Sequence, residues 1–207
     1  MKLKKFKPLL DILPEPQRNL WHELAKIPRH FVLYGGTAIA LRLGHRKSVD
    51  FDFFSPEPLN EDCLFNEFKP LVNAQIIQRE VDTLSVIIDR NGFVKLSFFC
   101  NLKMGNVEPP EFTYDETILV ASKVDLLAHK LKVILQRAES KDYRDISALI
   151  QSGVQLSEGI SASLALWKNF PAMESLRALT FFKDGDLYSL PQSDRKVLIS
   201  AASDFEL

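Results

Sequence analysis

The stretch Tyr34–Phe54, "YGGTAIALRLGHRKSVDFDFF", decides how this chain is read. An apolar run, "FVLY" at 31–34, ends at Gly35-Gly36, and "TAIALRLG" then carries a short helical pattern that Gly44 stops. After it comes "SVDFDFFS" at 48–55, read as a second strand with Asp50 and Asp52 inside it. Side chains two apart on a strand share a face. The two carboxylates are therefore expected to project together, with Val49, Phe51 and Phe53 turned into the core. Like carboxylates held this close repel and raise each other's pKa unless a cation lies between them. Mg²⁺ suits the pair, because it takes a few carboxylates together with substrate phosphates. Gly35 and Gly36 open a helix at a strand end, where close backbone approach and unpaired N–H groups favour a phosphate. Thr37 adds a hydroxyl, and Arg46 and Ser48 lead into the acidic strand, placed to touch a phosphate or ribose. A glycine pair alone is usually a turn, and a lone Asp-x-Asp is usually solvated. The order strand, Gly-Gly, helix, strand, Asp-x-Asp is far more specific than either.

The chain around this stretch is ordinary for a soluble protein. Its 207 residues are 46% hydrophobic and 26% charged, enough for a sizeable core and against disorder as the main state. A formal net charge of −1 gives no global field for nucleic acid or anionic lipid, although a local basic stripe could still serve RNA. Cys63 and Cys100 lack metal-ligand spacing and read as free thiols in a reducing compartment. No run approaches the roughly twenty apolar residues of a membrane span. The basic N-terminus is broken too early by acid and proline to read as a signal peptide. A cytoplasmic protein with no membrane partner is expected.

Helical spacing predicts a helix over 15–27 and another over 60–72, capped by Asn60. Strands are expected over 74–80, 83–89 and 93–100, the last two joined at "RNG", an Asn-Gly hairpin signal. The segment 103–116 reads as loop, and "ILVA" at 118–121 as a short strand. From there the pattern is helical: 122–140, opened by a Ser122/Asp125 capping box, then 142–151, with Ser140 as its cap, 158–169, 172–180 and 194–202. The reading is an α+β chain that divides into an α/β core over 1–115 and a helical domain over 116–207.

In the first long helix, Val124, Leu127, Leu131, Ile134 and Ala138 share an apolar face. Lys123, Lys130 and Arg137 recur every seven residues beside it. Taken alone this stripe reads as a solvated edge with snorkelling lysines. Asp142 and Asp145 are helical neighbours, and Asp142 could simply favour the helix dipole. Tyr143 could stack on a base or pack. The phenylalanine pairs, including Phe181-Phe182, read as core. The four histidines share no zinc spacing, and only His45, near the glycine pair, is a candidate of interest.

"GGTAIALRLGHRKSVDFDFF" resembles the signature of the nucleotidyltransferase superfamily. More narrowly it is similar to the AbiEii/AbiGii-type toxin nucleotidyltransferases, with their "GGTA…R.S.D.D" pattern. "DLLAHKLKVILQRAESKDYRDISALI" at 125–150 extends the resemblance, which covers about residues 30–150. It implies a nucleotidyltransferase fold, a mixed sheet flanked by helices and followed by a helical half. It implies NMP transfer from an NTP to an acceptor hydroxyl, with tRNA or another RNA as acceptor. The catalytic set would be Asp50, Asp52, Lys130 and Asp145. Gly35, Gly36, Thr37, Arg46, Ser48, Lys130, Arg137 and Asp142 would bind nucleotide, and Asp50 and Asp52 would hold Mg²⁺. It further implies the toxin of a toxin–antitoxin pair, with a cognate antitoxin as partner. Lys130 would be a mobile cation for the triphosphate, and Asp145 would orient it or the nucleotide.

One departure stands out. Many nucleotidyltransferases place a third carboxylate on a later strand, and "FVKLSFF" offers Lys95 and Ser97 instead. One ion is therefore favoured over two. Asp82 and Asp89 could substitute only in a different strand register. A catalytically degenerate binding module, or NMP transfer to a protein hydroxyl, are the alternatives.

Overall fold

A computed structural model describes residues 3–103 and 105–205. Met1, Lys2, Met104, Glu206 and Leu207, on which parts of the loop and terminal expectations fall, lie outside the described residues. The chain divides into two compact units. One holds the chain up to Gly105 together with Pro109–Ala121, and the other holds Asn106–Glu108 together with the chain from Ser122 onward.

The first unit is built on eight strands: β1 (Lys5–Phe6), β2 (Val32–Tyr34), β3 (Phe51–Phe54), β4 (Gln75–Glu80), β5 (Thr83–Asp89), β6 (Phe93–Phe99), β7 (Glu111–Thr113) and β8 (Leu119–Val120). They form one mixed sheet in the order β1-β7-β8-β2-β3-β6-β5-β4. Strand β3 runs antiparallel to β2 and parallel to β6, with Asp52 opposite Tyr34 on one side and Ser97 on the other. Phe51, Phe53, Leu84, Val86, Leu96 and Phe98 are fully buried, and the Phe53 and Phe98 rings stack at 5.5 Å. Burying one such ring contributes ~2 kcal/mol, so this face fixes the register: a one-residue slip would turn the rings out and the aspartate in.

Helices α1 (Glu15–Leu20), α2 (Gly35–Leu43) and α3 (Glu61–Glu67) belong to the same unit. The expected helices at 15–27 and 60–72 both change character part-way. The first tightens into a 3₁₀ helix at Trp21–Lys26, and the second ends at Glu67 before a 3₁₀ turn, Lys69–Asn73, that contains Pro70. Asn60 accepts a bond from the Cys63 amide at 3.0 Å, the expected cap. The Asn-Gly hairpin forms with Asn91 at φ 60° and Gly92 at φ 140°, and Asp89 accepts from the Gly92 amide at 3.0 Å.

Several expectations need correction. Strand β3 starts only at Phe51, and Val49 is half exposed rather than in the core. The backbone just before the strand is bound by side chains instead of a ladder: Gln17 donates to the Val49 carbonyl at 2.9 Å and Thr37 donates to the Asp50 carbonyl. The segment 103–116 is not all loop, because β7 lies within it and pairs with β1 and β8. Strands of two or three residues show no readable alternation, which hid both β1 and β7.

The second unit holds α4 (Lys123–Val133), α5 (Ser140–Gln151), α6 (Leu156–Leu166), α7 (Ala172–Thr180) and α8 (Gln192–Ser203). The expected single helix over 122–140 stops at Val133. Arg137 then bonds Asp142 at 2.8 Å, a pairing closed to a straight helix, where residues five apart point about 140° from each other. Ser140 is inside α5, with Glu139 at the cap position, and its hydroxyl donates to Asp186 at 3.0 Å. Ser122 caps α4 by accepting from the Asp125 amide at 3.0 Å. The return bond of a capping box is absent: the buried Asp125 carboxylate accepts from the Val107 and Glu108 amides at 2.8 and 3.1 Å, and from Ser122. Those bonds tie Asn106–Glu108 to the helical unit. At Gly159 a Cβ would lie 2.5 Å from Leu127, so glycine sets how closely α6 approaches α4. Phe181 is about half exposed and is not core.

Candidate active site

In the first unit the site is assembled by the β2–α2 turn and by β3. Gly35 has φ +74°, a conformation that costs other residues about 1–2 kcal/mol. A Cβ there would stand 2.9 Å from Asp52 Oδ2. Two separate constraints, conformation and space, therefore require glycine at 35. No side chain caps α2, and the N–H groups of a first helical turn have no partner within the helix. Asp52 is half-buried on the face opposite Phe51 and Phe53, while Asp50 is exposed one residue ahead of the strand.

Thr37 and Ser48 are buried, and their hydroxyl oxygens lie 2.8 Å apart. With the bond from Thr37 to the Asp50 carbonyl, they pin the segment that leads into β3. The Thr37 hydroxyl is thus turned toward Ser48 and the Asp50 carbonyl. Arg46 donates from Nη1 to the Lys47 carbonyl at 3.0 Å. Ser97 stands beside Asp52 in the parallel register, at the place of the third carboxylate of many nucleotidyltransferases. Asp82 accepts from Leu59 and Asn101, and Asp89 closes the hairpin, so neither substitutes for it. Among the described residues no group of three or more His, Cys, Asp or Glu side chains is disposed to hold a metal ion.

The second unit carries a different cluster. Lys130 is 5% exposed, and its Nζ lies 2.6 Å from Asp142 and 2.7 Å from Asp145, both fully buried. Arg137 adds bonds to Asp142 at 2.8 and 3.3 Å. Two cations thus balance two carboxylates. Burial pushes the Asp142 carboxyl up, but Lys130 and Arg137 outweigh it and hold it below the usual carboxylate range. Lys130 is therefore not part of a solvated edge: it is held between two acids, one of them Asp145. Asp142 does more than favour the dipole of α5. Tyr143 packs, 2% exposed, and its hydroxyl donates to the Ala178 carbonyl at 3.0 Å. Burial, with Asp184 and Asp142, pushes that phenol up to about 12. His129 stands edge-on to Trp167 at 5.1 Å; burial first, then Lys132 and Lys130, push it down to about 3, so it is neutral near pH 7.

A glycine-opened helix against an Asp-x-Asp strand in a mixed sheet defines a nucleotidyltransferase-type core. Residues 20–205 match the family described as nucleotidyl transferase AbiEii toxin, type IV toxin–antitoxin system, and the chain belongs to that family of nucleotidyltransferases. It is 32% identical over 157 residues, 74% of each chain, to uncharacterized protein aq_aa25 of Aquifex aeolicus (strain VF5). Its fold is similar to that of a protein from H. pylori assigned to the nucleotidyltransferases, at TM-score 0.59 and 17% identity over 91% of both chains. It is equally similar, at TM-score 0.59 and 14% identity, to MenT4, a nucleotidyltransferase toxin of Mycobacterium tuberculosis H37Rv, over 96% of this chain and 84% of that one. No helix among the described residues is long and apolar enough to cross a membrane.

Proposed function

We propose that the chain transfers an NMP from an NTP to an acceptor hydroxyl, with RNA, such as tRNA, as the acceptor class and pyrophosphate as the second product. The observation that carries this reading is the Asp52 carboxylate lying where a Gly35 side chain would stand. Phosphate transfer needs an acid and helix-start amides at one place, and that is what the contact between Asp52 and the Gly35 position brings together. The amides of Gly35, Gly36 and Thr37 would hold phosphate oxygens, and Thr37 and Ser48 would keep the Asp50 backbone in position. The acceptor oxygen would form its bond to the α-phosphorus as the bond to the bridging oxygen breaks, the hydroxyl proton passing to water.

Two carboxylates, one exposed and one half-buried, suit a single Mg²⁺, which prefers one or two carboxylates and completes its shell with water and substrate phosphates. Asp50 and Asp52 would hold it, and it would supply polarisation of the phosphoryl oxygens. A nucleotide-contacting part for Lys130, Arg137, Asp142 and Asp145 follows from the family pattern. In the resting arrangement Lys130 would have to give up one of its two carboxylates to take it. A cognate antitoxin is the protein partner expected of a toxin of this family.

The test is incubation with each labelled NTP, Mg²⁺, total RNA and cell lysate. Label in RNA supports the reading, and label in protein moves the acceptor to a protein hydroxyl. Absence of transfer from every NTP would leave only a binding module.

A further inference from the structure

Lys95 has an unusual address. The β3–β6 ladder pairs Phe51 with Leu96 and Asp52 with Ser97, so Lys95 falls one step beyond the ladder, opposite Asp50. Along β6 the core side is marked by Val94, Leu96 and Phe98, all fully buried. Lys95 and Ser97 therefore share the other face, the one on which β3 displays Asp52. That face is where a third carboxylate would stand, and it offers instead a hydroxyl and an ammonium.

A lysine in a strand most often protects a sheet edge from pairing. That use does not apply here, because β6 is paired on both sides, with β3 and with β5. Lys95 is exposed, and among the described residues it forms no hydrogen bond or ion pair. It contributes nothing to the core, yet the register sets it on the face of Asp52 and next to the position of Asp50. The charge of a bound triphosphate would still need cations, and a third acid with a second ion would ordinarily bring them.

We propose that Lys95 contacts the substrate, its ammonium binding the triphosphate beside Asp50 and Asp52 in place of the charge that a third carboxylate and its ion would bring. This rests on the NTP-dependent reading above and adds a residue to it. A lysine suits the task, since it is a compact point charge on a flexible stem that reaches phosphate without fixed geometry.

The test is binding of non-hydrolysable NTP analogues by calorimetry to the wild-type chain and to Lys95→Met and Lys95→Arg, each with Mg²⁺ and with EDTA. NMP binding and thermal melting are measured alongside. Lys95→Met is expected to weaken triphosphate binding about tenfold in both conditions. NMP binding should change much less, Lys95→Arg should stay within about threefold of wild type, and the melting temperature should be unchanged. Equal triphosphate binding by Lys95→Met and wild type would overturn the inference and leave the proposed function standing. A wild-type chain that binds none of the four triphosphates would overturn both.

Discussion

The two charged clusters of this protein use the same residue types to opposite ends. In the helical unit Lys130, Arg137, Asp142 and Asp145 meet one another, and the charge sums to zero with the two aspartates fully buried. In the sheet unit Asp50 is exposed, and among the described residues its carboxylate forms no ion pair or hydrogen bond. A buried charge has to be matched from within the chain, because unpaired burial costs several kcal/mol. A charge left facing solvent without a partner costs little and remains available to a ligand. The contrast separates charges matched within the chain from a charge left facing solvent, a distinction that residue type alone does not make.

The comparison can be broken most directly at Asp50 and Asp52. Replacing both by alanine is expected to lower NMP transfer by about a thousandfold or more while the melting temperature holds. Unaltered transfer in the labelled-NTP assay would remove them from the chemistry. The reverse is expected at Lys130. Lys130→Met removes from the buried Asp142 and Asp145 the ammonium that both contact, and should cost about 3–5 kcal/mol of stability. Adding Asp145→Asn should recover part of that loss in denaturant unfolding, and a single variant of wild-type stability would show that the cluster does not anchor the helical unit.

A third measurement sharpens the picture of a dry helical interior. His129 is pushed from 6.5 down to about 3, so below about pH 6.5 the unfolded chain takes a proton that the folded chain refuses. Its share of stability is present in full above 6.5 and declines as pH falls toward 3, with a limiting slope of about 1.4 kcal/mol per pH unit. His129→Phe should flatten the loss between pH 6.5 and 5. An unchanged slope in that variant would place the pH dependence elsewhere. A modest effect on folding is expected at Gly35. Gly35→Ala meets both positive φ and the Asp52 carboxylate, for about 1–2 kcal/mol of destabilisation. It should also reduce transfer more than that loss of stability accounts for, read as activity well below the melting transition.

Much of the fold was legible because its signals are local. Asn60 and Ser122 cap because a short polar side chain before an apolar helical pattern can reach the amide three residues on. Asn91-Gly92 turns because both accept positive φ. Asp125 shows the limit. The sequence places it at the third helical position, yet its carboxylate binds amides 17 and 18 residues away. The break after Val133 was equally hidden, since the apolar spacing continues to Ala138 while the chain has already left the helix and Arg137 pairs with Asp142.

By itself the sequence determined that a glycine pair opens a helix after one strand, that a second strand follows with Asp52 in it, and which face of that strand carries Asp52. These follow from steric freedom at glycine and the two-residue period of a strand, both properties of neighbouring residues. Only the tertiary structure decided that Ser97 and Lys95, more than forty residues on, lie alongside the two aspartates, and that Lys130 is locked between Asp142 and Asp145. Strand pairing and burial depend on what the whole core can pack, and no local pattern states which distant residue will fill the neighbouring place.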